Sequence, residues 1–163
     1  MSVTRRIIFG RDPRRTAVRV LALAAVAFVT FNWVLIPIRT EGPSMDPTYR
    51  SGSFNLVNRL SYVFAEPSRG DVVAIRLAGP SVVLVKRIVG LPGERVRIDE
   101  GVLQVNGMPL DEPYVRERRA WNVPEVALGP QEYFVVGDNR GMPAKSHSFG
   151  AVDRVRIRGR VLF

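Results

Sequence analysis

Ser44 and Lys86 are the two residues whose types and surroundings could do chemistry together. Ser44 lies in Gly42-Pro43-Ser44-Met45-Asp46-Pro47-Thr48. Prolines stiffen both sides of this turn, and Gly42 lets a second backbone come close. Most serines in such turns only shape the turn; a serine hydroxyl becomes a useful nucleophile when a base sits beside it. Lys86 lies in the apolar run Val82-Val83-Leu84-Val85-Lys86-Arg87-Ile88-Val89, and is one of two lysines against 22 arginines in the 163-residue chain. Codon preference accounts for much of that ratio, but not for where the two lysines fall. Arginine stays protonated, whereas a desolvated lysine can lose its proton and accept another. Strand alternation places Val82, Leu84, Lys86 and Ile88 on one face, with no carboxylate among them. The run alone leaves two readings open: a lysine whose amine reaches water past a strand edge, and a base made by burial.

Other chemistry is bounded by composition. The chain has no cysteine and one histidine, His147, which excludes disulfides and thiolate sites and argues against a histidine-built metal centre; no metal and no cofactor is expected. His147 invites a Ser-His-Asp triad with Ser44 and Asp138 or Asp153, but its loop setting equally suits a hydrogen-bond network.

The elements that must position Ser44 and Lys86 begin with an apolar run. Val20–Ile38 carries no charge over 19 residues, enough as a helix to cross the ~30 Å hydrocarbon core of a bilayer. Its bulky exit, Trp33-Val34-Leu35-Ile36-Pro37-Ile38, offers no small-x-small cleavage site, so an uncleaved anchor is expected rather than a removed signal peptide. The net charge of +9 is uneven: residues 1–38 hold six arginines and one acid. A basic tail before an apolar run suits an anionic cytoplasmic membrane surface better than nucleic acid. The expected organisation is a cytoplasmic tail (1–19), an anchor (20–38) and an extracytoplasmic domain (39–163).

Beyond residue 38, short Val/Ile-rich runs alternate with Gly, Pro, Asn and Asp, which predicts a mainly β domain. The expected strands are Phe54–Asn58, Asp71–Arg76, Ser81–Val89, Arg95–Asp99, Val102–Val105, Glu132–Val136 and Val155–Val161. Asp99-Glu100-Gly101 and Asn106-Gly107 read as tight turns, and about 106–130 as an irregular insertion. Leu60, Tyr62, Val63 and Phe64 form an apolar cluster that suits either a core or a surface resting on a bilayer.

Four boxes then occur in order behind the anchor: Ser44-Met45-Asp46-Pro47-Thr48, Arg69-Gly70-Asp71-Val72, Lys86-Arg87-Ile88-Val89-Gly90-Leu91-Pro92-Gly93, and Gly137-Asp138-Asn139-Arg140. In this the chain resembles the bacterial type I signal peptidases, membrane-anchored Ser/Lys proteases. The resemblance implies a coiled antiparallel β-sheet domain behind one transmembrane helix. It implies Ser44 as acylating nucleophile, Lys86 as general base, and an oxyanion site built from the Ser44 N–H beside Gly42, where some members carry a serine hydroxyl. Asp138 and Arg140 match a structural pair bracing the sheet near the lysine. Many members read Ser-x-Asp-Ser-Arg downstream; here Pro143, Lys145, Ser146 and His147 fill those places, so the hydroxyl that usually steadies the amine is missing, with Ser146 or Ser148 as substitutes and Ser146 and His147 as structural support.

The expected activity is endoproteolytic removal of signal peptides from exported preproteins at the outer face of the plasma membrane. Thr40, Met45, Leu84 and Val85 would line shallow pockets for small substrate residues, the expected partners are signal peptides and the lipid bilayer, and no nucleic acid is expected. A peptidase dedicated to one exported, pilus or conjugation protein, and an inactive membrane-anchored β-domain, are the competing functions.

Overall fold

The computed structural model describes residues 12–76 and 83–162. The first eleven residues, with Arg5, Arg6 and Arg11 of the expected tail, lie outside the described residues, as do Ser81 and Val82 of the expected lysine strand. Helix α1 (Pro13–Val29) starts where Asp12 accepts hydrogen bonds from the backbone N–H groups of Arg14 and Arg15, with proline at the first helical position. Both are favourable starting chemistry for a helix. It continues through a π-helical turn (Thr30–Val34), where Asn32 donates back to the Phe28 carbonyl at 2.9 Å. This 22-residue apolar helix is long enough to cross a membrane, and none of its window is buried by the rest of the protein.

The helix ends sooner than the expected anchor. Leu35–Arg39 forms strand β1, paired antiparallel with β2 (Phe54–Asn58) from Leu35 opposite Asn58 to Arg39 opposite Phe54. The remaining strands are β3 (Val72–Arg76), β4 (Val83–Gly90), β5 (Arg95–Asp99), β6 (Val102–Val105), β7 (Met108–Pro109), β8 (Val123–Ala127), β9 (Glu132–Val136), β10 (Gly150–Asp153) and β11 (Ile157–Leu162). All their pairings are antiparallel. One sheet has the order β1-β2-β11-β3-β4-β9-β10, the other β7-β6-β5-β8. The fold is therefore mainly β behind one apolar helix, as expected. The expected insertion at 106–130 is partly regular: β7 and β8 complete the smaller sheet at its two edges.

Both expected tight turns form. Glu100 and Gly101, and Asn106 and Gly107, all take positive φ, the geometry of two-residue hairpin loops whose twist matches the strands. The core divides in three. Val57, Val72, Ala74, Val85 and Val161 gather with Met45 and Tyr49. Val73, Ile75, Ile88, Val135 and Ile157 gather with Tyr133. The smaller sheet closes over Val89, Phe134 and Val136 with Trp121.

Gly90 sits where the lysine strand passes under the smaller sheet. A Cβ there would lie 2.5 Å from Val96 Cγ2 and 2.9 Å from both Leu128 Cδ1 and Phe134 Cβ. Overpacking of this kind typically costs about 1–3 kcal/mol. Gly90→Ala should lower the thermal midpoint accordingly, read by near-UV circular dichroism in detergent.

Candidate active site

Ser44 occupies a single 3₁₀ turn, Pro43–Met45, entered through Gly42 at φ 82°. The positive φ favours glycine here. The Gly42 N–H donates to Ser51 Oγ at 3.2 Å. Two contacts hold the turn from behind: the Asn139 N–H donates to the Ser44 carbonyl at 3.1 Å, and Asn139 Nδ2 donates to the Pro43 carbonyl at 3.0 Å. Met45, 1% exposed, pins the turn to the core.

Lys86 lies in the middle of β4, opposite Val73 of β3. Its neighbours on that face, Leu84 and Ile88, pack into the Ile75/Val135 cluster. Lys86 itself is 2% exposed, and its Nζ is hydrogen-bonded to Ser44 Oγ at 2.5 Å. Burial lowers the amine from its ordinary 10.5 to about 8, with the Asp138 carboxylate pulling the other way by less. No carboxylate lies within ion-pairing distance of Lys86 among the described residues.

Asp138 is kept from that role by Arg87. The guanidinium donates through Nε at 2.9 Å and Nη2 at 2.6 Å to the two carboxylate oxygens, and Thr48 Oγ1 adds a bond at 2.6 Å. Arg87 also donates to the Gly70 carbonyl at 2.7 Å and lies 4.0 Å from the centre of the Tyr114 ring. Asp138 and Arg140 engage separate partners. Arg140, equally buried, points the other way: its Nε donates to the Gly137 carbonyl at 2.9 Å and its Nη2 pairs with buried Glu112. The box thus anchors two adjacent ion pairs, Arg87–Asp138 and Arg140–Glu112. Alternation around Lys86 could have signalled Arg87, since it must leave on the opposite face; nothing in the irregular stretch around Glu112 marked that residue.

His147 is buried at 8% exposure, with Nε2 2.8 Å from the Asn139 carbonyl and its ring edge-on to Trp121. It makes no hydrogen bond to Ser44, Asp138 or Asp153 among the described residues. Asp138 is engaged with Arg87, and Asp153 accepts from the Val155 N–H, so the triad arrangement is absent. Ser146, Lys145 and Ser148 are exposed, and Ser146 makes no side-chain hydrogen bond among the described residues.

The four expected pocket residues separate. Met45 and Val85 share one buried cluster, while Leu84 is half-buried on the opposite sheet face. Thr40 is buried, its Oγ1 accepting from Asn55 at 2.7 Å. A trough of about 290 Å³ lies on the sheet, lined by Ile36, Ile38, Val57, Ala74 and Val83 with arginines at its rim. No cluster of His, Asp and Glu able to hold a metal occurs among the described residues.

Fold and site define a class: antiparallel β proteins that set a serine hydroxyl against a desolvated lysine amine, behind an apolar helix. The family model for signal peptidase, peptidase S26, matches residues 14–163. The chain is 35% identical over 143 residues to signal peptidase I V of Bacillus subtilis, covering 78% of this chain and 84% of that one. It is 35% identical over 165 residues to signal peptidase I of Leptolyngbya laminosa, covering 93% and 79%. It is also 35% identical over 123 residues to the probable signal peptidase I-2 of Synechocystis, covering 72% of this chain but 56% of that longer protein. The chain belongs to the signal peptidase family, peptidase S26, and is a peptidase.

The buried amine makes a stability prediction independent of catalysis. Below pH 8 the folded protein holds a desolvated ammonium that the unfolded chain hydrates. Between pH 8 and 10.5 the unfolded chain binds more protons, so wild-type stability rises with pH. Lys86→Met should therefore be more stable than wild type at pH 7, with the advantage shrinking toward pH 10.5. Denaturant midpoints at the two pH values check this.

Proposed function

We propose that this chain is a serine endopeptidase that removes signal peptides from exported preproteins, with Ser44 as nucleophile and Lys86 as general base. The observation that carries the reading is the 2.5 Å contact between the Ser44 hydroxyl and an amine that burial brings down to about 8. In its neutral form that amine accepts the hydroxyl proton as Oγ attacks the scissile carbonyl. The resulting ammonium returns the proton to the departing peptide nitrogen, leaving an acyl-enzyme. Lys86 then activates water to release the acid. The Ser44 N–H, in a turn opened by Gly42, supplies the oxyanion contact; the Gly42 N–H itself is engaged with Ser51.

Substrate binding uses β1. It is an edge strand of the larger sheet, and its chain leads directly into the Ser44 turn. An extended peptide added along that edge gains main-chain hydrogen bonds and brings its scissile bond to the hydroxyl. Thr40, Met45 and Val85 serve as pocket residues at the head of this path, and the trough of Ile36, Ile38, Val57 and Val83 continues it along the sheet; Leu84, on the opposite sheet face, is not part of it.

The apolar helix is the membrane anchor, its arginines cytoplasmic and the β domain outside. Leu60, Val63 and Phe64 are 51%, 54% and 98% exposed, close in sequence to Arg59. They form a lipid-facing tip; Tyr62 instead turns inward and donates to Asp71 at 2.9 Å. One observation favours a dedicated peptidase over a general one: Lys145 and His147 stand where many members carry an Asp–Arg pair. Cleavage of a panel of preproteins separates the two readings, with a single accepted substrate marking the specialist.

The dyad is tested by a pH–rate series on a small-x-small peptide. Wild-type kcat/KM should rise through an acid limb near pH 8. Ser44→Ala and Lys86→Arg should each lose at least about 1,000-fold, the scale of removing a nucleophile or its base. Turnover retained by Lys86→Arg contradicts the mechanism, because arginine accepts no proton at these pH values.

A further inference from the structure

Two hydrogen-bonding deficits sit in the wall behind Ser44. The first belongs to Lys86. A neutral amine has two N–H donors besides the lone pair that faces Ser44, and the only side-chain partner of Nζ among the described residues is Ser44 Oγ. The position that supplies a steadying hydroxyl in many members is Pro143 here. It is exposed and offers no side-chain donor or acceptor. The other expected substitutes, Ser146 and Ser148, are exposed as well.

The second deficit belongs to His147. Its Nε2 faces the Asn139 carbonyl at 2.8 Å. A carbonyl only accepts, so Nε2 carries the proton and Nδ1 is a bare acceptor. That Nδ1 is buried without a partner among the described residues. An unsatisfied buried acceptor is costly, and native structures rarely leave one alone.

The two deficits are complementary and lie in the same place. A Cβ built on Gly137 would crowd the Ser44 carbonyl on one side and stand 3.1 Å from His147 Nδ1 on the other. The β4–β9 register, Arg87 opposite Val136, sets Lys86 level with Gly137. Burial holds the imidazole below its ordinary range, and the nearby Lys86 charge adds to that. No direct bond joins Nζ to Nδ1 among the described residues, so a link between them requires a bridging molecule with one partner of each kind.

We propose that His147 is the positioning residue for the general base: its bare Nδ1 takes up an N–H of Lys86 through one bridging water, aiming the amine's lone pair at Ser44. This rests on the Ser44/Lys86 reading. In this chain an imidazole acceptor does the work that a hydroxyl does elsewhere in the family. The charged groups facing the imidazole are Lys86 from β4 and Arg140 from the segment after β9. Glu112 stands behind Arg140 and neutralises it; the remaining wall is Trp121.

Two substitutions divide the two ring nitrogens. His147→Gln keeps a donor for the Asn139 carbonyl and removes the acceptor at the Nδ1 position. His147→Asn places an amide oxygen near the Nδ1 position and gives up the Asn139 bond. With a role confined to bracing Asn139, Gln rescues and Asn does not. The proposal expects the reverse. His147→Gln should lose about tenfold in kcat at unchanged KM, the scale of one hydrogen bond. Its acid limb should move to lower pH, because an acceptor stabilises the ammonium more than the amine. His147→Asn should stay within about threefold of wild type. As His147 is the only histidine in the chain, ¹⁵N spectra of the unsubstituted protein in micelles report its tautomer without assignment. The expected state is protonated Nε2 and bare Nδ1, with the Nδ1 resonance moving in Lys86→Met. An Nδ1–H tautomer, an Nδ1 signal indifferent to Lys86→Met, or an unshifted acid limb in His147→Gln overturns the proposal. Turnover retained in Ser44→Ala or Lys86→Arg would instead overturn the dyad reading beneath it.

Discussion

The site depends on keeping one amine out of water without giving it a counter-ion. Lys86 and Arg87 are adjacent in sequence and leave β4 on opposite faces. The arginine takes the Asp138 carboxylate through two hydrogen bonds, with Thr48 adding a third. Were Asp138 free, it would hold the lysine charged. Engaged by Arg87, it exerts an upward pull smaller than the opposing effect of burial. Two neighbouring cations thus meet opposite fates: one keeps its charge because it has a partner, and the other loses its proton readily because it has none.

The serine turn is held with comparable economy. It contributes three residues and is fixed from outside by the Gly137–Asn139 segment, whose backbone and side chain hold the Ser44 and Pro43 carbonyls. Gly137 must be glycine for the turn to approach, since a Cβ would overlap the Ser44 carbonyl. That segment is gripped in turn by Arg87 through Asp138, by Arg140 through the Gly137 carbonyl, and by His147 through the Asn139 carbonyl. Asn139 was part of a recognisable box, yet its role becomes visible only once the turn is seen against it.

What the sequence revealed followed the range of the forces involved. The β5–β6 and β6–β7 turns were readable because positive φ at Gly101 and Gly107 is a local requirement. Strands β2, β5, β6 and β9 were readable from short Val/Ile-rich runs. Strand β1 was not: it continues the same apolar run as the helix, and Pro37, the one local sign of a switch from helix to sheet edge, lies inside the expected anchor. Strand β8 was hidden by Pro124 and Glu125, and exists because β5 offers it an edge. Among the site residues, neither the Ser44 turn nor the Lys86 strand fixes its distance to the other; residue types suggested the pair, and the resemblance supported it. Glu112, the partner of Arg140, was missed because an ion pair formed from an irregular stretch leaves no periodic trace, whereas Arg87, the partner of Asp138, was within reach of the strand alternation.

The strand that escaped notice carries a mechanical consequence. The helix passes into β1 without an intervening loop, and β1 is stitched to β2 along its whole length. No swivel separates the two, and Ser44 stands nine residues past the start of that strand. With the helix seated in a bilayer, the hydroxyl is carried at a set altitude above it, like a blade on a fixed post. Under the proposed function, a peptide whose susceptible bond emerged at another height would not meet the blade, and the fold would gauge depth before any pocket sampled a side chain.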